Sequence, residues 1–309
     1  MADGQLSFPT SIGTSDATTI RLLGQDLAAD LMGRVGFGEL AYWLVAGRRP
    51  TPGEVRVFET VLVALADHGF TPTAIAARLT YLSAPEALQA ALAAGLLGGG
   101  SRFLGVTEDC GRFLAEALAA HAPAGTTDAT GTRDGGGTAA HAAGGTTDTA
   151  GTGGELPVDD AGWDAVALAA VTEAHAEHRF IPGLGHPVHK DGDPRTPALI
   201  RIADEEGLRG PHLRLFEAIG RVHPRVLGRT LPLNGAGVCG AALADLGLPV
   251  DLLRGFALLA RAAGLLGHLA EERRNPIAMD IYRTVDRNAR YVPPDRNPQQ
   301  PDQNPQQHG

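Results

Sequence analysis

Through most of this chain, apolar side chains recur at intervals of three and four residues, and each such run is closed by glycine, proline or a short polar cap. That spacing matches the 3.6-residue period of helices that bury one face, and no convincing run shows the period-two alternation of half-buried strands. Pro52 to Asp67 is the plainest case. Val55, Phe58, Val61, Leu62 and Leu65 share a face, Thr51-Pro52 supplies a cap and a first-turn proline, and His68-Gly69 ends the run. Similar patterns predict helices over Thr73 to Leu82, Ala84 to Leu97, Asp164 to Glu177, Pro197 to Glu206, Pro211 to Val222, Val238 to Leu246 and Leu252 to Arg274. The expected fold class is therefore all-α.

Composition narrows the partners. With 309 residues, 43% hydrophobic and only 5% aromatic, the chain can bury one large core or two smaller ones built mainly from Ala, Leu and Val. A formal net charge of -9 argues against nucleic acid as the main partner, so any anion site must be local. Cys110 and Cys239 are too few for a disulfide framework and do not lie in a metal-type spacing. The opening Met-Ala-Asp-Gly-Gln lacks a basic n-region and an apolar h-region, and no apolar run approaches the ~20 residues of a bilayer span. A cytoplasmic protein without membrane attachment is expected.

Two segments stand apart from the packed body. Residues 121–157 are mostly Gly, Thr, Ala and Asp and contain an imperfect repeat, HAPAGTTDATGT at 121 and HAAGGTTDTAGT at 141. Neither repeat has an apolar face to offset its ordering entropy, which predicts a disordered surface insertion rather than a solenoid. The tail over 292–309, rich in Pro, Gln and Asn, is expected to behave alike.

Gly183-Leu-Gly-His186-Pro-Val-His189-Lys190-Asp-Gly-Asp-Pro-Arg195 breaks the helical pattern. Flexible glycines, two prolines, two imidazoles, an ammonium and a guanidinium in one short segment suit a loop that presents charge to an anion, and Lys190 is the chain's only lysine. His186 has no hydrophobic stripe to join, which makes it a candidate for acid–base or ligand duty. His68, at a helix end, fits either a cleft or a simple pairing with the helix dipole. His186 and His189 are three apart, as are His175 and His178, yet no cysteine or carboxylate cluster completes a shell, so no metal site is expected. Arg261 lies in an otherwise apolar run, where a charge needs a counterion; Glu271 or Glu272 could supply it, although both sit nearer the polar helix end. Arg273 and Arg274 close that run. Several guanidinium forks are what a di- or tricarboxylate would require.

The loop from Gly183 to Arg195 resembles the signature of the citrate synthase superfamily, Gly-His-x-Val-x-Lys/Arg followed by Asp-Pro-Arg. Supporting matches flank it in order: Asp67-His68-Gly-Phe-Thr-Pro with the helix to Arg78, the turn Gly95-Leu-Leu-Gly-Gly-Gly-Ser-Arg-Phe103-Leu-Gly105, Asn234-Gly-Ala236-Gly-Val-Cys-Gly240, and Ala260-Arg261-Ala-Ala-Gly264. The resemblance covers nearly everything except the insertion and tail. It implies a two-domain helical homodimer: a large domain from 8–100 and 251–291, and a small domain from 101–250 that carries the insertion. It further implies that the domains close over oxaloacetate and a coenzyme A thioester. His68, His186, Arg195 and Arg261 would hold the oxaloacetate-derived groups, Arg274 would reach across the dimer, and Lys190 would approach a coenzyme A phosphate. No separate cofactor is implied.

Two departures bear on activity. Where a citrate synthase has the aspartate that deprotonates acetyl-CoA and the histidine that stabilises its enolate, this chain has Ala236 and Phe103, neither of which can transfer a proton. The turn before Phe103, Ile181-Pro-Gly-Leu-Gly-His-Pro-Val-His-Lys190 and Glu271-Glu-Arg-Arg-Asn-Pro276 are more similar to the citryl-CoA lyases of the superfamily. The expected activity is retro-Claisen cleavage of (3S)-citryl-CoA to acetyl-CoA and oxaloacetate, with His186 as base on the tertiary hydroxyl and water, Glu108 or Asp109 as candidate proton donors. A different acyl-CoA and 2-oxo acid pair, or a thioester-binding protein without turnover, are the alternatives.

Overall fold

The computed structural model describes residues 6–121, 156–186 and 188–291, so most of the repeat-bearing insertion and the tail lie outside the described residues. Eleven helices make up most of what is described: α1 Phe37–Ala46, α2 Pro52–Ala66, α3 Pro72–Ser83, α4 Leu88–Leu97, α5 Val106–His121, α6 Asp160–Ala176, α7 Arg195–Glu205, α8 Pro211–Leu227, α9 Gly235–Asp245, α10 Leu253–Arg274 and α11 Ala278–Asn288.

The caps explain where several helices begin. Thr51 accepts from the Glu54 N–H while Glu54 reaches back to the Thr51 N–H, a full capping box ahead of Pro52. Thr71, Asp159 and Asn234 cap α3, α6 and α9 through side-chain oxygens. Asp159 starts α6 earlier than the apolar pattern suggested, and α7 begins at Arg195 rather than Pro197. The second shift places the loop's last guanidinium on the first turn of a helix.

The all-α expectation needs one correction. Three short strands, β1 Gly13–Ser15, β2 Ile20–Leu22 and β3 Gln25–Asp26, form an antiparallel meander with Gly13 opposite Leu22 and Arg21 opposite Asp26. Strands this short carry too few residues for a period-two alternation to register. The fold is mostly helical with this small sheet at its start. No helix among the described residues is long and apolar enough to cross a membrane.

The main core gathers buried faces from α1, α2 and α5 through α10, with Tyr42, Phe58 and Phe256 stacked edge-to-face at 5.6 and 5.1 Å. A second, smaller cluster joins Ala74, Ala77, Ala91, Leu265 and Leu269, where α3 and α4 meet the later turns of α10. Arg261 lies on α10 between the two. Around it α2 packs on α7, α9 and α10, and this convergence positions the polar groups that follow.

Candidate active site

The loop between α6 and α7 is tied down before its chemistry begins. Leu184 bridges Leu233, the Asn234 N–H donates to Gly183 O at 2.9 Å, and the Gly185 N–H donates to Pro232 O at 2.7 Å. Asn234 adds a side-chain bond from Nδ2 to Gly185 O at 2.8 Å. Gly183 has φ +88°, and a Cβ there would lie 2.6 Å from the Phe216 ring, so the position excludes other residues on both conformational and steric grounds.

Three imidazoles meet at the mouth of this loop. His68, just past the end of α2, lies 5.2 Å from His186 and 5.6 Å from His189 between ring centroids, and His186 and His189 are 4.4 Å apart. The His186 Nδ1 accepts the backbone N–H groups of Val188 and His189 at 3.1 and 3.0 Å. A neutral ring engaged in this way carries its proton on Nε2 and presents a donor. Partial burial, then the neighbouring His189, hold its pKa below the ordinary 6.5, which keeps the ring neutral near pH 7. In this conformation its one lone pair is already occupied by the backbone, which favours a donor role over the expected one of base on the substrate's hydroxyl. Among the described residues, the rings of His68 and His189 make no hydrogen bond. Sequence spacing had placed His189 beside His186, and the resemblance implied that His68 joins His186, but neither brought all three rings together.

The two central arginines differ. Arg195 is committed locally, with the buried Asp193 accepting its backbone N–H at 3.1 Å, its Nε at 3.0 Å and its NH2 at 2.7 Å. Asp193 also accepts the Gly235 N–H at 2.7 Å, and NH1 of Arg195 donates to Ala64 O at 3.1 Å. Burial opposes ionisation of Asp193, yet these donors hold its carboxyl well below the usual range. Arg261 is only 5% exposed, and its Nε and NH1 have no hydrogen-bond partner. Burial lowers its pKa, and the nearby Asp67 opposes that effect. What brings Arg261 here is Gly264, one turn along α10: a Cβ at Gly264 would lie 1.9 Å from Ala66 O, so only glycine lets α10 approach the end of α2 this closely.

Glu271 and Glu272, the local partners considered for Arg261, serve another cation. The fully buried Arg78 pairs with Glu271, donates to Glu272 at 2.8 Å and directs Nε and NH2 at the His268 Nδ1, 3.2 and 3.1 Å away. His268 in turn reaches Asp67 Oδ1 through Nε2 at 2.8 Å. The other Asp67 oxygen accepts the Gly69 N–H at 2.8 Å, so a continuous polar chain fixes the residues on both sides of His68. Sequence reasoning missed Arg78 and His268 as site supports. The available signal was Arg78 on the apolar face of α3, a buried charge whose partner lay far along the chain.

The remaining expected residues lie outside this cluster. Arg274 is exposed at the end of α10. Lys190 is exposed and borders a cleft of about 740 Å³ between the loop, α7 and α8, together with Asp191, Thr196 and Arg221. Phe103 is 47% exposed on the turn before α5, and Ala236 sits on the first turn of α9. Glu108 bonds Arg112 at 2.8 Å, and Asp109 lies 3.5 Å from Arg254, so both candidate proton donors already face cations. Taken together, the cluster offers three imidazoles and a buried, unsatisfied guanidinium beside a second, held one. Imidazole donors and guanidinium forks of this kind are chemically suited to carboxylate groups.

Known proteins share this fold. The family model described as citrate synthase, C-terminal domain, matches residues 23–284. The structure of citryl-CoA lyase from Hydrogenobacter thermophilus superposes with a TM-score of 0.72 at 28% identity, covering 94% of this chain and 98% of that one. A single-site variant of ATP citrate lyase from Methanosaeta concilii, in complex with (3S)-citryl-CoA, shares the fold at a TM-score of 0.66 and 20% identity, covering 94% of this chain and 42% of that one. Citrate synthase from Thermotoga maritima does so at a TM-score of 0.57 and 17% identity, covering 87% of this chain and 59% of that one. No curated protein matches the sequence.

Proposed function

The chain belongs to the citrate synthase family, and from that premise we propose that it is a carbon–carbon lyase that cleaves (3S)-citryl-CoA to acetyl-CoA and oxaloacetate. The observation that carries this reading is the unsatisfied guanidinium of Arg261, buried near Arg195, whose own charge acts on His186. An unpaired buried cation is costly, and a carboxylate from the ligand relieves that cost. End-to-end similarity to a citryl-CoA lyase supports the choice of substrate.

The residues divide the chemistry as follows. Arg195 and Arg261 hold the substrate carboxylates. His68, whose ring is free of hydrogen bonds among the described residues, accepts the proton of the tertiary hydroxyl. The His186 Nε2–H stabilises the resulting alkoxide. The alkoxide closes to the oxaloacetate carbonyl as the carbon–carbon bond breaks, and that electron pair becomes the acetyl-CoA enolate. The enolate carbon then takes the proton back from His68. Hydroxyl oxygen and departing carbon are bonded to one carbon, so a single imidazole can serve both. Lys190 approaches a coenzyme A phosphate, and Arg274 reaches the site of a partner protomer in a homodimer.

Phe103 and Ala236 favour a second reading, since neither can move a proton. On that reading the chain acts on another acyl-CoA and 2-oxo acid pair, with a bulkier group packed on Phe103, or binds a thioester without turning it over. The deciding experiment supplies (3S)-citryl-CoA and follows oxaloacetate through malate dehydrogenase and NADH. Cleavage that falls by about 10²–10³ in His186→Ala is expected from the loss of one alkoxide donor. Saturable thioester binding with no NADH consumption would reject the lyase assignment and leave the second reading.

A further inference from the structure

We propose that His68, His186 and His189 bind a divalent transition-metal ion, with Zn²⁺ the best-fitted species, when no carboxylate ligand occupies the site. Their candidate ligand nitrogens all lie within 4.8 Å of one another. Three imidazoles on a tetrahedral zinc ion, with Zn–N bonds of about 2.0–2.1 Å, need nitrogens roughly 3.4 Å apart, so closure by up to about 1.4 Å assembles the set. Much of that adjustment falls on a loop whose Val188 is 67% exposed.

Each ligand contributes differently. The rings of His68 and His189 make no hydrogen bond among the described residues, so both can turn a lone pair to the ion. His186 must move its proton from Nε2 to Nδ1 and release the two backbone N–H groups it now accepts. Those groups lie on the exposed part of the loop, where water replaces the lost bonds. An all-imidazole set with no thiolate and no carboxylate selects zinc, nickel, copper or cobalt over calcium and magnesium. Local carboxylates offset the guanidiniums only in part: Asp193 pairs with Arg195 and Asp67 lies near Arg261, while the Arg195 charge still acts against positive charge at His186. Three protein ligands leave a fourth position for water.

The binding claim stands apart from the proposed lyase activity, because its test reads the metal directly. The full chain, prepared without a histidine tag and freed of metal, is titrated with Co²⁺ and its visible absorption recorded; Zn²⁺ is then added in a calorimeter. One equivalent giving the intense bands of a four-coordinate site, displaced by Zn²⁺, is expected. His189→Leu weakens binding by at least about tenfold, whereas His175→Leu, on the helix-surface pair, leaves it unchanged. His189→Gln provides a second variant should the leucine fail to fold. Only the weak spectrum of octahedral hydrated Co²⁺ in the wild type, or equal affinity in a folded His189 variant, overturns the proposal.

Discussion

Two buried arginines in one molecule have opposite surroundings. Arg78 is fully enclosed and meets two glutamates and a histidine; Arg261 is nearly as enclosed, yet two of its nitrogens meet nothing. The first arrangement is complete without a ligand and holds α3 to the end of α10. The second is incomplete, and under the proposed function its deficit of hydrogen bonds is filled by a carboxylate of the substrate. Burial of a charge alone thus says little about function; what distinguishes the two is whether the protein satisfies the charge itself.

The sharpest way to test this contrast is to remove each charge in turn. Arg78→Met leaves Glu272 buried and unpaired and should destabilise the fold by about 3–5 kcal/mol, measured by urea unfolding. Arg261→Met should leave unfolding unchanged or shift it towards greater stability, because the lost group had no partner to strand. Its effect should appear in turnover of (3S)-citryl-CoA, lowered by about 10²–10³. Equal destabilisation by both substitutions would mean that Arg261 is structural after all.

Gly264 tests how the unsatisfied arginine is placed. A methyl group there would lie 1.9 Å from Ala66 O, so Gly264→Ala must push α10 away from the end of α2. Overpacking of this kind should cost about 1–3 kcal/mol of stability. Turnover should fall further than at Gly267, also on α10, where a Cβ would meet nothing within 4 Å. Comparable losses at the two glycines would separate the arginine's placement from the helix contact.

Sequence reasoning reached the helices that have strong periods and clear caps, but overlooked α1, α5 and α11. The α1 run Phe37–Ala46 is apolar nearly all round, so its period is blurred. The α5 helix begins with an acidic turn and runs into the insertion, and α11 starts after Asn275-Pro276, which reads as a stop. Within the site, His186 and Arg261 stood out by local chemistry, whereas the set of His68, His186, Arg195 and Arg261 was what the resemblance to the citrate synthase superfamily implied. What could not be read was pairing across long separations. His268 lies 201 residues from Asp67 and 190 from Arg78, and no local pattern links them. The tautomer of His186 was equally hidden, because two backbone N–H groups of its own loop decide it.

The smallest expected effect concerns pH, and it probes the self-sufficient arginine. Burial disfavours the Glu272 carboxylate, but the Ala278 N–H, Arg78 and the Ile277 N–H together lower its pKa below the ordinary 4.5. A depressed carboxylate binds fewer protons in the folded state than in the unfolded one. Its contribution to stability is therefore present above about pH 4.5 and is lost as pH falls through the depressed folded value. Glu272→Gln removes that titration, so the variant should start less stable at pH 7 and lose less stability between pH 5 and 3 than the wild type, read from thermal unfolding at several pH values. Parallel acid profiles for the two proteins would show that Arg78 relies on Glu271 rather than Glu272. The contrast between the two arginines would then rest on the more exposed of the two carboxylates.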